Sequence, residues 1–150
     1  MALENTSLPD VGVMQEWLAM WLTKYYTLAD TQGEEASLQF ADLFAENSIM
    51  YRMSEVIQGR EAIIKSREDS WKLIDRRKLE VVQLFTARQD YSNILVQGKI
   101  TAHFKSGKEV SAEFTAQIVF DSATAKNPRA VAYRNWGDTA PWVKAMEEKD

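Results

Sequence analysis

Cysteine is absent from this chain and histidine occurs once. Without thiols there is no disulfide frame, no thiolate nucleophile and no thiolate metal site, and one imidazole is too few for a usual transition-metal centre. Glycine and proline are scarce, six and three in 150 residues, and neither a Gly-rich phosphate loop nor a Gly-x-Ser-x-Gly elbow occurs. Metal, nucleotide and acyl-enzyme chemistry all lack their residues, so the chain is expected to work without a cofactor. No stretch approaches the roughly 20 apolar residues of a membrane span, and Met1 to Asp10 is polar and acidic where a secretory leader is basic and then apolar. A soluble, cytoplasmic protein with no membrane partner is expected. Positive charge is in deficit, 18 Lys and Arg against 22 Asp and Glu. The only basic run, Arg76-Arg77-Lys78, is short and has no aromatic neighbours at stacking distance, which argues against a nucleic-acid partner.

Apolar surface, in contrast, is plentiful. Hydrophobic residues make up 45% of the chain, with five Trp, five Tyr and six Phe. That is enough to fill a core and to line a cavity, and 150 residues suit one domain spanning 1–150. Ser7-Leu-Pro-Asp10 has capping-box spacing, and after it Val11, Met14, Trp17, Leu18, Trp21, Leu22, Tyr25 and Leu28 recur at three and four residues, which predicts a first helix. Thr31-Gln-Gly-Glu34 caps a short second helix carrying Leu38, Phe40, Leu43 and Phe44 and ending near Glu46. A strand follows over Ser48 to Met53. A third helix, Arg60 to about Ile74, has the stripe Ile63, Ile64, Trp71, Ile74, with Arg67 inside it. From Leu79 the period changes to alternation, predicting strands at about 79–86, 91–104, 110–120 and 129–137, with turns such as Lys105-Ser-Gly-Lys108 and a loop over Ser122 to Pro128. The order implies an α+β domain in which a curved antiparallel sheet carries its helices on one face.

Three segments carry a family likeness: Tyr25-Tyr-Thr-Leu-Ala-Asp30, Leu43-Phe-Ala-Glu-Asn-Ser-Ile-Met-Tyr-Arg52 and Gln58-Gly-Arg-Glu-Ala-Ile63. In this order and spacing they resemble the nuclear transport factor 2-like superfamily, and within it ketosteroid isomerases and SnoaL-like polyketide cyclases. The ending Tyr133-Arg-Asn-Trp-Gly-Asp-Thr-Ala-Pro141 resembles small SnoaL-like proteins of fungal secondary metabolism. The resemblance implies a cone-shaped domain, a sheet wrapped around about three N-terminal helices, and a homodimer formed through the convex sheet face. It places Tyr25 where ketosteroid isomerases have an oxyanion-donating tyrosine. It also puts Arg52 at the place of their proton-shuttling aspartate and Ala116 at about the place of their second carboxylate, so the vessel is kept but that carboxylate chemistry is not.

With both β sets turned inward as the resemblance implies, alternation gives Gly98, Ile100, Ala102, Phe104 on one strand and Val110, Ala112, Phe114, Ala116, Ile118 on the next. The last strand would contribute Ala132, Arg134, Trp136 and Asp138. The expected catalytic set is Arg52, Arg134 and Tyr25 as oxygen-charge stabilisers with Asp138 as base. The expected substrate-binding wall is Arg67, Trp21, Met50, Trp71, Ile100, Phe104, Phe114, Ala116, Ile118 and Trp136, with no metal ligand. Arginine stays cationic and its planar fork grips a carboxylate or a developing enolate. Each residue also has a plain structural reading: Arg52 and Arg67 as ion-pair residues, Tyr25 as core, Asp138 as a strand-end turn. His103 is expected on the outer face. The function expected is a cofactor-independent isomerase, cyclase or dehydratase acting on a small apolar polyketide, terpenoid or alkaloid intermediate. The alternatives are an epoxide hydrolase using an Asp-Arg pair, or a non-catalytic ligand-binding or dimeric scaffold module.

Overall fold

The computed structural model describes residues 3, 6–7, 15–52, 54–121 and 126–147. The start of the first helix at Val11 and Met14, and Leu8 to Asp10 of the capping box, lie outside the described residues. Within them the chain runs α1 (Glu16–Ala29), α2 (Glu34–Ala41), β1 (Phe44–Arg52), β2 (Glu55–Gln58), α3 (Arg60–Leu73), β3 (Ile74–Thr86), β4 (Asn93–Phe104), β5 (Glu109–Phe120), β6 (Ala130–Gly137) and α4 (Ala140–Glu147). The strands form one six-stranded sheet in the order β2-β1-β6-β5-β4-β3. The α+β class is as the sequence implies.

The expected boundaries need several corrections. The second helix stops at Ala41, and Leu43 and Phe44 belong to a turn and to β1. β3 begins at Ile74, directly on the end of α3, because Arg76, Lys78 and Glu80 face out while Arg77, Leu79 and Val81 face in, an alternation concealed by the charge. β4 starts at Asn93 because Tyr91 takes a left-handed φ of 60° and Asp90 Oδ1 accepts the Ser92 N–H, a local turn that stops pairing. The sheet is not wholly antiparallel, since β1 pairs parallel to β6. β2 and α4 were not anticipated. Among the described residues no helix is long and apolar enough to cross a membrane.

α1 buries Leu18, Trp21, Leu22, Tyr25, Tyr26 and Ala29 against the concave sheet, the face its periodicity predicts. There the aromatics interlock: Tyr25 stacks on Trp21 at 5.1 Å and on Tyr133 at 5.2 Å, with Phe40 at 4.9 Å. β3 is an edge strand, and its free edge is tied to the end of α1. Arg77 donates to the Ala29 carbonyl, the Leu79 N–H donates to Asp30 Oδ2, and Gln32 donates to the Asp75 carbonyl. Ser7 forms a parallel bridge to Gln83 further along the same edge. The β4–β5 hairpin turns at Gly107, whose φ of 92° suits glycine. A second apolar cluster, Trp71, Ile74, Ala102, Phe104 and Val110, is covered by Trp142 and Ala145 of α4.

Candidate functional site

The inward sets expected on β4 and β5 are correct. Gly98, Ala102, Phe104, Val110, Phe114, Ala116 and Ile118 are buried, while their alternates Gln97, Lys99 and Glu113 are exposed. On β6 the expected phase is wrong. Val119 pairs with Ala132 but Phe120 pairs with Ala130, so Val131 is an extra residue, a β-bulge. Counting alternation from buried Ala130 across that bulge turns every later side chain to the wrong face. The true inward set is Tyr133 and Asn135, opposite Ile118 and Ala116.

Arg134, Trp136 and Asp138 therefore do not enter the cone, and their assignment to it is corrected. Arg134 lies on the outer face over the Tyr51 ring at 4.3 Å, and Trp136 beside it is 45% exposed. Asp138 is exposed and accepts the Ala140 N–H in a turn leading into α4. With Asp138 outside, the expected base does not reach the cone. His103 is on the outer face, 3.4 Å from Glu109.

Arg52 does turn inward. It sits beside Asn135 on β6, which sits beside Ala116 on β5, one row crossing three strands. Its guanidinium donates to Ser70 Oγ of α3 and to Glu55 at the rim, leaving its side chain 33% exposed. Asn135 Oδ1 is buried with no hydrogen-bond partner among the described residues. The next row is Met50, Tyr133 and Ile118, all buried. Tyr133 meets Tyr25, and burial pushes the Tyr25 phenol well above the usual tyrosine range, with Tyr133 adding to the effect and Arg77 and Arg52 opposing it. Burial raises Tyr133 too. Tyr26 is close enough to feel both, yet its hydroxyl has no partner of hydrogen-bond geometry.

Arg67 is buried and ties helices together: its Nε donates to Ser37 Oγ at 3.1 Å, its Nη2 to the Thr31 carbonyl at 2.6 Å, and its Cζ lies 4.6 Å over Phe40. Desolvation lowers its pKa to about 10, with Arg77 contributing. Arg77 lies 4.8 Å over Trp71, and its Nε is 4.0 Å from Asp30 Oδ1. Asp30 is partly buried, and that burial raises its carboxyl to about 6 although the Leu79 N–H and Arg77 pull it down.

The inner half of the cone is filled by Trp21, Met50, Tyr133 and Ile118, all tightly buried. In the outer half, inward-facing Ile100, Ala112, Arg52 and Asn135 are only half-buried, while Ala116 and Phe114 beside them are tightly buried. Phe104 and Trp71 stand at that end beneath α4. Two shallow grooves, of about 300 and 390 Å³, run along the outer sheet face and share Trp136. Among the described residues no group of three or more His, Asp or Glu could hold a metal ion.

Sequence reasoning missed Asn135, Tyr133, Arg77 and Asp30. Arg77 was within reach, since Arg77, Leu79 and Val81 alternate with charged neighbours. Asn135 and Tyr133 were not, because the bulge at Val131 leaves no local signature. Asp30 acquires its setting only when β3 folds against the end of α1.

No family model matches the sequence, and no curated protein matches it. Solved structures do. An NTF2-like protein of unknown function from Burkholderia pseudomallei has a TM-score of 0.74 at 13% identity, over 89% of this chain and 100% of its own. A protein assigned to the SnoaL-like polyketide cyclases, from Jannaschia sp. CCS1, has a TM-score of 0.72 at 11% identity, over 95% and 99%. PrhC from Penicillium brasilianum has 0.71 at 12% identity, over 87% and 86%. At such identities the likeness speaks to architecture, and the architecture is unambiguous: this chain has the NTF2-like, SnoaL-like fold.

Proposed function

We propose that the outer half of the cone binds one mid-sized, largely apolar molecule and isomerises, cyclises or dehydrates it without a cofactor. The observation that supports this is the row Arg52–Asn135–Ala116, in which Arg52 and Asn135 are half-buried, with the buried Tyr25–Tyr133 pair behind it. A cation, an unpartnered amide oxygen and phenols set in an apolar wall suit a substrate whose oxygen gains charge in the transition state. Asp30, titrating near 6, replaces Asp138 as the proton acceptor, since a base is most effective with a pKa near the working pH. The polyketide cyclase assignment of structural neighbours points the same way. The test is to identify by mass spectrometry the small molecule that co-purifies with the protein and to titrate it into variants. Tyr25→Phe and Arg52→Gln are expected to weaken binding about 10-fold or more with little change in melting temperature, while outward Asp138→Asn behaves as wild type. Wild-type affinity in both inward variants would reject the site.

A second copy of the chain is proposed to cover the outer sheet face. Val82, Phe85, Leu95 and Trp136 are exposed there, flanked by Arg134 between two aromatic rings. Outward charges nearly balance, with Arg76, Lys78, Lys99 and Arg134 against Glu80, Glu109 and Glu113, so two such faces meet with little net repulsion. Trp136→Lys is expected to turn a dimer into a monomer in light scattering; a wild-type protein that is already monomeric at high concentration would refute the pairing.

A further inference from the structure

We propose that the N-terminal segment is a removable cover on the free edge of β3, and that lifting it lets two copies of the chain join edge to edge through residues 81–86. β3 is the last strand of the sheet and pairs on one side only, with β4. Its outer N–H and C=O groups must therefore be answered by something other than a strand of the sheet. The end of α1 and the turn after it answer the first half: the Asp75 carbonyl accepts from Gln32, and the Leu79 N–H donates to Asp30 Oδ2. The N-terminal segment answers the second half. The Ser7 N–H donates to the Val82 carbonyl at 2.8 Å, the Leu84 N–H donates back to the Ser7 carbonyl at 3.0 Å, and Thr6 Oγ1 donates to the Val81 carbonyl at 2.9 Å. Leu3 packs against the main core and its carbonyl accepts the Thr6 N–H at 3.1 Å, which anchors the cover.

The cover is held lightly. Among the described residues it makes one strand bridge, Ser7 to Gln83, and Ser7 is exposed to solvent with Thr6 half-buried. Hydrogen bonds this open to water, backed by few apolar contacts, break by local opening at small cost in free energy. The strand beneath is of the opposite kind. Val81-Val82-Gln83-Leu84-Phe85-Thr86 is free of Gly and Pro and rich in β-forming side chains, and no charge occurs between Glu80 and Arg88. Val82 and Phe85 are each 43% exposed, so the outer face of this run is apolar too. Past the register shift between Val81 and Gln83 the strand pairs regularly to Thr86, and the Val82 carbonyl and Leu84 N–H point away from β4 toward Ser7. Two such runs meeting antiparallel on a two-fold axis set uncharged residues opposite one another, so nothing in them repels a second copy. Pairing of Thr6 and Ser7 within the chain holds that interface shut.

Thr6→Val combined with Ser7→Pro removes the hydroxyl donor and the N–H donor of the cover. Both are placed in the full chain carrying Trp136→Lys and compared with that chain alone, so that pairing through the outer sheet face does not enter. Light scattering against concentration is expected to show self-association at least about 10-fold tighter than in the comparison chain. Amide exchange at Leu84 is expected to be at least about 10-fold faster in dilute solution, where the edge is bare, and slow again at high concentration, where a second copy covers it. Thr6→Val alone keeps every backbone bond and is expected to move both readings the same way by less; it carries the test if the double variant does not fold. A double variant that stays monomeric at high concentration while Leu84 exchanges fast has a bare edge that recruits nothing, and overturns the proposal. Leu84 protection unchanged by the substitutions overturns it as well, since the segment is then no cover. So does association that leaves Leu84 exchanging fast, because the copies then meet elsewhere.

Discussion

Gly98→Ala is expected to destabilise the protein by about 2–4 kcal/mol or to prevent soluble folding. Gly98 is an inward position on β4 directly opposite Phe114, whose ring lies across it. A Cβ there would fall on the Glu80 carbonyl oxygen of β3 and 2.5 Å from Phe114 Cζ. The carbonyl belongs to an edge-strand backbone fixed by the β3–β4 ladder, and the Phe114 ring is buried, so neither neighbour moves cheaply. Chemical denaturation checks the prediction. Adding Phe114→Leu should recover part of the loss but not all, because the backbone clash remains. A Gly98→Ala protein as stable as wild type would show that β4 and Phe114 are not this close.

Asp30→Asn is expected to stabilise the fold at neutral pH while lowering turnover about 10²–10⁴-fold, the range for loss of a proton-transfer group. The sign follows from the carboxyl's rise from 3.8 to about 6 on folding. Between those values the native state binds more protons than the unfolded chain, so stability falls as pH rises, and the favourable contribution present below pH 4 is gone above pH 6. The full shift corresponds to about 3 kcal/mol, and partial exposure reduces this to roughly 1–2 kcal/mol. Asparagine still accepts the Leu79 N–H without carrying charge. Melting curves from pH 4 to 8 should therefore slope down for wild type and run flatter for the variant. A variant that is less stable at pH 7 would make Asp30 a structural anchor. Unchanged turnover would remove it as the base.

Much of the architecture is legible along the chain. Trp17 to Leu28 declare an amphipathic helix, and the alternation through Gly98, Ala102, Phe104 and through Val110, Phe114, Ile118 states which faces of two neighbouring strands are buried. Those patterns are local, and local periodicity survives folding wherever the strand is regular. The candidate site is less legible because it is assembled from breaks in regularity. One inserted residue at Val131 exchanged Arg134, Trp136 and Asp138 for Tyr133 and Asn135. Arg52 kept its face because β1 is regular from Ile49 to Arg52, as its parallel register with β6 records.

Composition, helix periodicity and strand alternation by themselves determined an α+β domain with one apolar face per element, since each follows from residues two to four apart. Tertiary structure alone decided which charges meet inside the fold. Arg77 and Asp30 meet because an edge strand must satisfy its free N–H groups against the end of α1, while Asp138 turns outward to accept the Ala140 N–H at the entry to α4. Those partners lie dozens of residues apart or depend on a bulge, and no pattern in a short window records them.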